Sequence, residues 1–256
     1  MTDHDITPET AGWHYAGLRT VTLAGPHHFT TAADEALILP LSGSCVVHCG
    51  PHTQTLTGRP DPLSGPTDFA YIPRDSTVTL IPTTTPSRLA IPTARAEALL
   101  PFRYSPCEAA PIETRGAGTA TRTIRNLCVP ETFETDRLMV VEVLTPGGNW
   151  SSWPPHKHDE HTESGETPKE EIYYYEGGPA YQRVYSSAAG EIDILREVGT
   201  GDVVLIPHGY HGPTMAMPGY DLYYLNVLAG PDRGPGRSMA YSDDPRHAWV
   251  RGTWGA

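Results

Sequence analysis

The chain has little positive charge: 18 Lys and Arg stand against 30 Asp and Glu, a formal net charge of −12. Nucleic acids and anionic membranes attract proteins through basic surfaces, so neither is an expected partner. No apolar run approaches the roughly 20 residues that cross a bilayer as a helix. The opening MTDHDITPETAGWHY has neither the basic nor the apolar stretch of a secretion signal, which makes the cytoplasm the expected compartment. Cysteine is scarce. Cys45, Cys49, Cys107 and Cys128 form no C-x-x-C pair. In CVVHC, Cys45 and Cys49 flank His48 and would share a strand face, so a second metal site is one reading there. Buried cysteines acting as small hydrophobes are the commoner case, reduced in the expected compartment. Helix-forming windows are scarcest of all: only residues 93–100, TARAEALL, predict a helix.

What is abundant is turn chemistry, 26 Pro and 25 Gly in 256 residues. Between the turns lie short β-branched and aromatic runs, among them EALILPLS, SCVVHC, DFAYIP, STVTLIP, RLMVVEVL, EEIYYY, AYQRVYS, DVVLIP and DLYYLNVL. Such runs read as strands, and many strands with hardly any helix predict an all-β sandwich or barrel. The length allows one large core or two small ones. A weak internal repeat favours two. EALILPLSGSCVVHCG followed by GPTDFAYIPRDSTVTL parallels KEEIYYYEGGPAYQRVY followed by GTGDVVLIPHGYHGPTM. Ile72–Pro73 then corresponds to Ile206–Pro207, and Arg74, Asp75 and Ser76 stand where the second copy carries His211. Residues 101–120, rich in Pro, Gly and Ala, read as a linker.

The chemistry concentrates between Gly147 and His211. His156 and His158 are two residues apart and would face one point if extended. Glu170 and Glu171 open an aromatic run, and GDVVLIPHGYH supplies His211. Three imidazoles and a carboxylate suit a divalent ion with open positions, with zinc or manganese first and iron or nickel as alternatives. Alternation sends Glu171, Tyr173 and Tyr175 to one face and Glu170, Ile172 and Tyr174 to the other. Glu171, directly before IYYY, is the preferred ligand. Glu170 is the alternative, or else an ordinary solvated partner of Lys169. His208 is an alternative to His211, and His161 reads as a surface residue.

These residues resemble the cupin superfamily. His156, His158 and Glu171 match the ligands of its first motif, with Gly178 at the expected offset. Gly201, Pro207, Gly209 and His211 match the second. Seven residues rather than five separate Gly148 from His156, twelve lie between His158 and Glu171, His211 comes one residue early, and the motif's closing Asn is missing. The blocks NWSSWPPHKHD, EEIYYY, QRVYS, VVLIPHGYH and GYDLYYLNVLAGP are similar to the 5-deoxy-glucuronate isomerase family of inositol catabolism. The similarity runs from about residue 120 to the end. It implies two tandem cupin-type β-barrels (a bicupin, or double-stranded β-helix fold). Residues 1–115 would form a barrel without metal ligands, and 120–256 a barrel with them, assembled as a homo-oligomer. It implies an aldose–ketose isomerase acting on a small uronic acid. Such chemistry needs a Lewis acid and a group that moves a proton between C1 and C2. The candidates for that group are Tyr173, Tyr175, Lys157, Tyr210 and a metal-bound hydroxide. Arg183 or Arg122 would hold the substrate carboxylate, and Tyr224 and Asn226 would line the pocket. A metal-dependent cupin dioxygenase and a non-catalytic sugar-binding cupin are the competing classes.

Overall fold

A computed structural model describes residues 3–254. Strands dominate it. Among the described residues the only α-helix is a single turn, Pro8–Ala11, capped by Thr7, and no helix is long and apolar enough to cross a membrane.

The first nine strands, Asp5 to Ser105, pair only with one another. Their spine is Asp34–Cys49. The first half of this strand is buried on both faces, as its unbroken apolar run requires. The second half alternates, with Cys45, Val47 and Cys49 inside. The change comes at Gly43, whose φ is +77° and where a Cβ would meet Thr84 and Ser87 side-chain oxygens at 2.6 and 2.7 Å. Before Gly43 the strand pairs with Phe69–Ile72 and Ser87–Arg95, and after it with His52–Arg59 and Thr77–Pro82. It therefore turns the corner between the two layers of a barrel.

The remaining strands form two six-stranded layers. One runs Ile112–Arg115, Arg122–Cys128, Met139–Thr145, Leu222–Ala229, Glu170–Gly177, Val203–Ile206. The other is built around Ala180–Ser187, Tyr210–Ala216 and His156–Lys157. The repeat is visible in the register: Ala36 pairs with Ile72 as Glu171 pairs with Ile206. The chain is all-β, a tandem pair of cupin-type barrels.

Three apolar clusters fill it. One lies inside each barrel, around Val47 and Leu80 and around Tyr173 and Tyr224. The third, with Leu37, Tyr71, Ile172, Tyr174 and Tyr223, joins the two barrels. A pair of carboxylates reinforces that seam. Glu35, fully buried, accepts the backbone N–H groups of Asp136, Arg137 and Leu138 at 2.8, 2.6 and 2.8 Å. Glu170 accepts those of His14, Tyr15 and Ala16 at 2.6, 2.7 and 2.9 Å. The two sit at equivalent points of the repeat, each one residue before the Ala36 or Glu171 pairing. Each barrel thus ties down the entry to a strand of the other, Met139–Thr145 or Ala16–Leu23.

Three sequence expectations are corrected. Residues 93–100 are not a helix: Thr93 to Arg95 end the strand Ser87–Arg95, because pairing with Ala16–Leu23 and Asp34–Cys49 overrides an eight-residue propensity. The 101–120 stretch is not a plain linker, since Arg103–Ser105 and Ile112–Arg115 each join a sheet. Glu170 is no solvated partner of Lys169; both are buried. At CVVHC, Cys45 and Cys49 point into the core, while His48 turns outward to Thr53, and burial pushes the Cys45 thiol up to about 12.

Candidate metal centre and its cavity

The strand Glu170–Gly177 projects Glu171 into the second barrel, Tyr210–Ala216 brings His211, and the segment around His156–Lys157 brings both histidines of H-x-H. His158 and His211 present Nε2 to Glu171 Oε2 at 3.0 and 3.1 Å. The ligand atoms of these three residues all lie within 4.8 Å of one another. His156 stands one step back, its ring centroid 4.4 Å from His211 and 6.5 Å from His158.

The backbone fixes the imidazole tautomers. His158 Nδ1 donates to Lys169 O and His211 Nδ1 to Gly209 O, both at 3.1 Å, and His156 Nδ1 faces Pro154 O at 3.4 Å. With Nδ1 protonated, each Nε2 is a lone pair. Burial holds His156 and His158 below the ordinary imidazole range, and so neutral. Lone pairs facing a carboxylate oxygen at 3 Å repel unless a cation stands among them. His211 Nε2, moreover, is buried with no hydrogen-bond partner. This donor set fits a divalent metal with imidazole and carboxylate ligands.

The triad opens on a cavity of about 270 Å³. Its lining includes His156, His158, Glu171, Tyr173, Tyr224, Asn226 and Arg122 from the sequence reading. The Asn226 side-chain oxygen has no partner. Burial raises Tyr173 well above the usual phenol range, so it keeps its proton at neutral pH and can serve as a hydrogen-bond donor. Arg122 is 5% exposed. It donates to Ala120 O and lies over the Trp254 ring, with no carboxylate within ion-pair distance among the described residues.

Four sequence candidates lie elsewhere. Lys157 turns to Asp159, Glu160 and Glu166. Lys157 follows His156 on a strand, so its side chain takes the opposite face. Tyr175 is farther along its strand, in the barrel core against Gln182. Arg183 pairs with Asp193, and Tyr210 stacks on Tyr185 in an outer groove. His208 faces Glu191 and His161 is exposed.

The sequence reading passed over Lys169, Ser152 and Tyr241, which also line the cavity. Lys169 is 4% exposed, and its Nζ donates to Thr167 O and Ala240 O at 2.8 and 3.2 Å. Burial lowers it to about 8, with Glu171 opposing. Its position two residues before Glu171 was the available signal, since i and i+2 share a strand face. Of the other buried cations, Arg59 and Arg125 share Glu142 and Arg137 meets Glu97, while Arg237, away from the cavity, donates to Thr135 Oγ1 and to the Gly234 and Leu138 carbonyls. Arg122 and Lys169 have no carboxylate, and both face the cavity.

The KduI/IolB family model matches residues 1–250. A 5-deoxy-glucuronate isomerase from Geobacillus thermodenitrificans is 40% identical over 253 residues, covering 96% of this chain and 89% of that protein. One from Bacillus subtilis strain 168 is 34% identical, covering 96% and 92%. The crystal structure of an IolB-like protein from Salmonella typhimurium LT2 superposes with TM-score 0.89 at 33% identity, covering 96% and 94%. Oxalate decarboxylase from Lactobacillus farciminis, at 12% identity and TM-score 0.60 over 91% and 82%, shares the fold.

Proposed function

The chain belongs to the KduI/IolB family and is an isomerase, and from that premise we propose that it converts 5-deoxy-D-glucuronate to 5-dehydro-2-deoxy-D-gluconate in myo-inositol breakdown. The observation that carries this reading is one cavity with a neutral-imidazole, single-carboxylate donor set and a buried guanidinium lacking a carboxylate. A monoanionic sugar acid supplies the missing partner. His158, Glu171 and His211, with His156, would hold a divalent metal, zinc or manganese ahead of iron or nickel. Such an ion supplies Lewis-acid polarisation of the C1 carbonyl and C2 hydroxyl.

The chain's own groups do the rest. Arg122 takes the carboxylate through paired N–H donors and fixes the sugar's direction across the cavity. Arg183, committed to Asp193, is set aside for that task. Tyr224 and Asn226 border the sugar, with the free Asn226 oxygen accepting from a hydroxyl. Proton movement from C2 to C1 through an enediol lets solvent hydrogen enter at C1.

The test is turnover of 5-deoxy-glucuronate by metal-loaded protein in heavy water, followed by NMR. Deuterium at C1 of the product is the expected result. Retention of the original hydrogen would indicate a C2-to-C1 hydride shift. An inert sugar acid, together with oxygen consumption on a small diketone, would replace the isomerase reading with a dioxygenase.

Arg122→Ala is expected to raise KM for the uronic acid by about 10- to 100-fold, the loss of one or two charge-assisted hydrogen bonds. KM for a neutral aldose should hold steady. Equal effects on both substrates would move the carboxylate site elsewhere.

We place the enzyme in the cytoplasm as a homo-oligomer of two-barrel chains, 1–115 and 120–256. In the first barrel Ala36 stands at the place of Glu171, and that barrel serves as scaffold and contact surface. Light scattering at micromolar concentration reads the assembly, and a monomer would remove this part.

A further inference from the structure

Resting on the isomerase reading above, we propose that Ser152 is a catalytic residue. With Tyr173 and Tyr224 it forms a neutral hydroxyl donor site for the substrate oxygen that gains charge as C1 and C2 exchange oxidation level.

Among the described non-glycine residues only Ala32, Asp75 and Ser152 have positive φ. Ala32 and Asp75 close a turn on each other in the first barrel, Asp75 N donating to Ala32 O. Ser152, at φ +45°, stands on the cavity instead. A left-handed L-residue costs about 1–2 kcal/mol and persists where its surroundings impose it.

Gly212 permits a close approach there. This residue directly follows the ligand His211 and has φ +106°, and a Cβ on it would stand 1.8 Å from Ser152 O. The backbone at Ser152 is thus pressed against the strand that carries His211. The result is an Oγ buried at the cavity wall, 3.1 Å from Tyr173 Oη and 3.2 Å from Tyr224 Oη.

Three hydroxyls bring three protons, and two are used in the contacts among them; Ser151, which accepts from Thr145, has its own proton to donate to Tyr224 Oη and takes none of the three. One proton is therefore left over. All three residues line the cavity beside His158 and Glu171, so the surplus O–H is available to a ligand oxygen there. A fixed neutral donor stabilises an oxygen more as that oxygen becomes negative, which is the condition for lowering a barrier rather than only tightening binding. Ser152 is the hub: only its Oγ bonds both tyrosines.

The experiment uses the full-length, metal-loaded protein. Ser152→Ala keeps the Cβ, and with it the backbone demand, and removes only the hydroxyl. Ser152→Gly removes both. Each variant is expected to lower kcat on 5-deoxy-glucuronate by about 100-fold, the usual effect of losing one such donor. KM should stay within about threefold and metal content unchanged.

A second readout needs no turnover. A short-chain sugar hydroxamate, a planar anion resembling an enediolate, should bind Ser152→Ala about 100-fold more weakly than the parent. Ser152→Ala with parental kcat overturns the proposal, as does a loss confined to Ser152→Gly, which would assign the backbone alone. If the parent leaves 5-deoxy-glucuronate untouched, the isomerase reading fails. Equal hydroxamate affinity in parent and Ser152→Ala would separately remove Ser152 from the site.

Discussion

Glu171→Gln is expected to release the metal and to lower isomerase activity by about three decades, several kcal/mol of lost Lewis-acid assistance. The fold should survive. In the parent, Glu171 Oε2 faces Nε2 of His158 and His211 at 3.0 and 3.1 Å, and both imidazole protons are engaged by carbonyls on the far side. A glutamine amide can donate to one of those lone pairs, so the metal-free variant gains a hydrogen bond where the parent has repulsion. Its melting temperature should equal or exceed that of metal-stripped parent. Elemental analysis reads the metal and NMR of the sugar reads turnover. Full metal occupancy in the variant would show that the ligand set has been misassigned.

The second large effect belongs to the seam. Glu35→Ala, or Glu170→Ala, leaves three backbone N–H groups buried without an acceptor. Hydrogen bonds to a charged group are worth about 1.5–3 kcal/mol each, and an unsatisfied buried donor adds its own penalty. Either substitution should therefore cost about 4 kcal/mol or more, at the exceptional end for a point change. For a chain of this size that corresponds to a drop of about 8–16 °C in Tm. Calorimetry on each variant and on the pair checks this. A drop under about 2 °C would mean that the carboxylates sit at the seam without holding it.

Much of this was legible beforehand because it depends on strand alternation and on close spacing. H-x-H, Glu171 ahead of its aromatic run, and P-x-G-x-H all report a local backbone that turns particular side chains to one side. The same reading placed Tyr173, Tyr224 and Asn226 on the cavity. It went astray where the partner was distant in sequence. Glu170 bonds to residues more than 150 positions away, and nothing in KEE distinguishes that from a solvated charge pair. Alternation also loses its polarity signal on Glu170–Gly177, where residues 170–176 are all buried, because one face meets the barrel core and the other meets the seam. Tyr175 shares a face with Glu171 yet lies too far along the strand to reach the cavity. Ser152 carried no signal at all, since its importance lies in a backbone angle and in the close approach that Gly212 permits.

Glu170 and Glu171 are neighbours that face opposite ways, one toward the first barrel and one toward the metal centre. During synthesis the ribosome delivers residues 14–16 early and Glu170 late. The seam contact of Glu170 with those residues' amides and the cavity contact of Glu171 are held by adjacent residues of one strand. A change that loosens the seam at Glu170 would displace Glu171 from His158 and His211 as well.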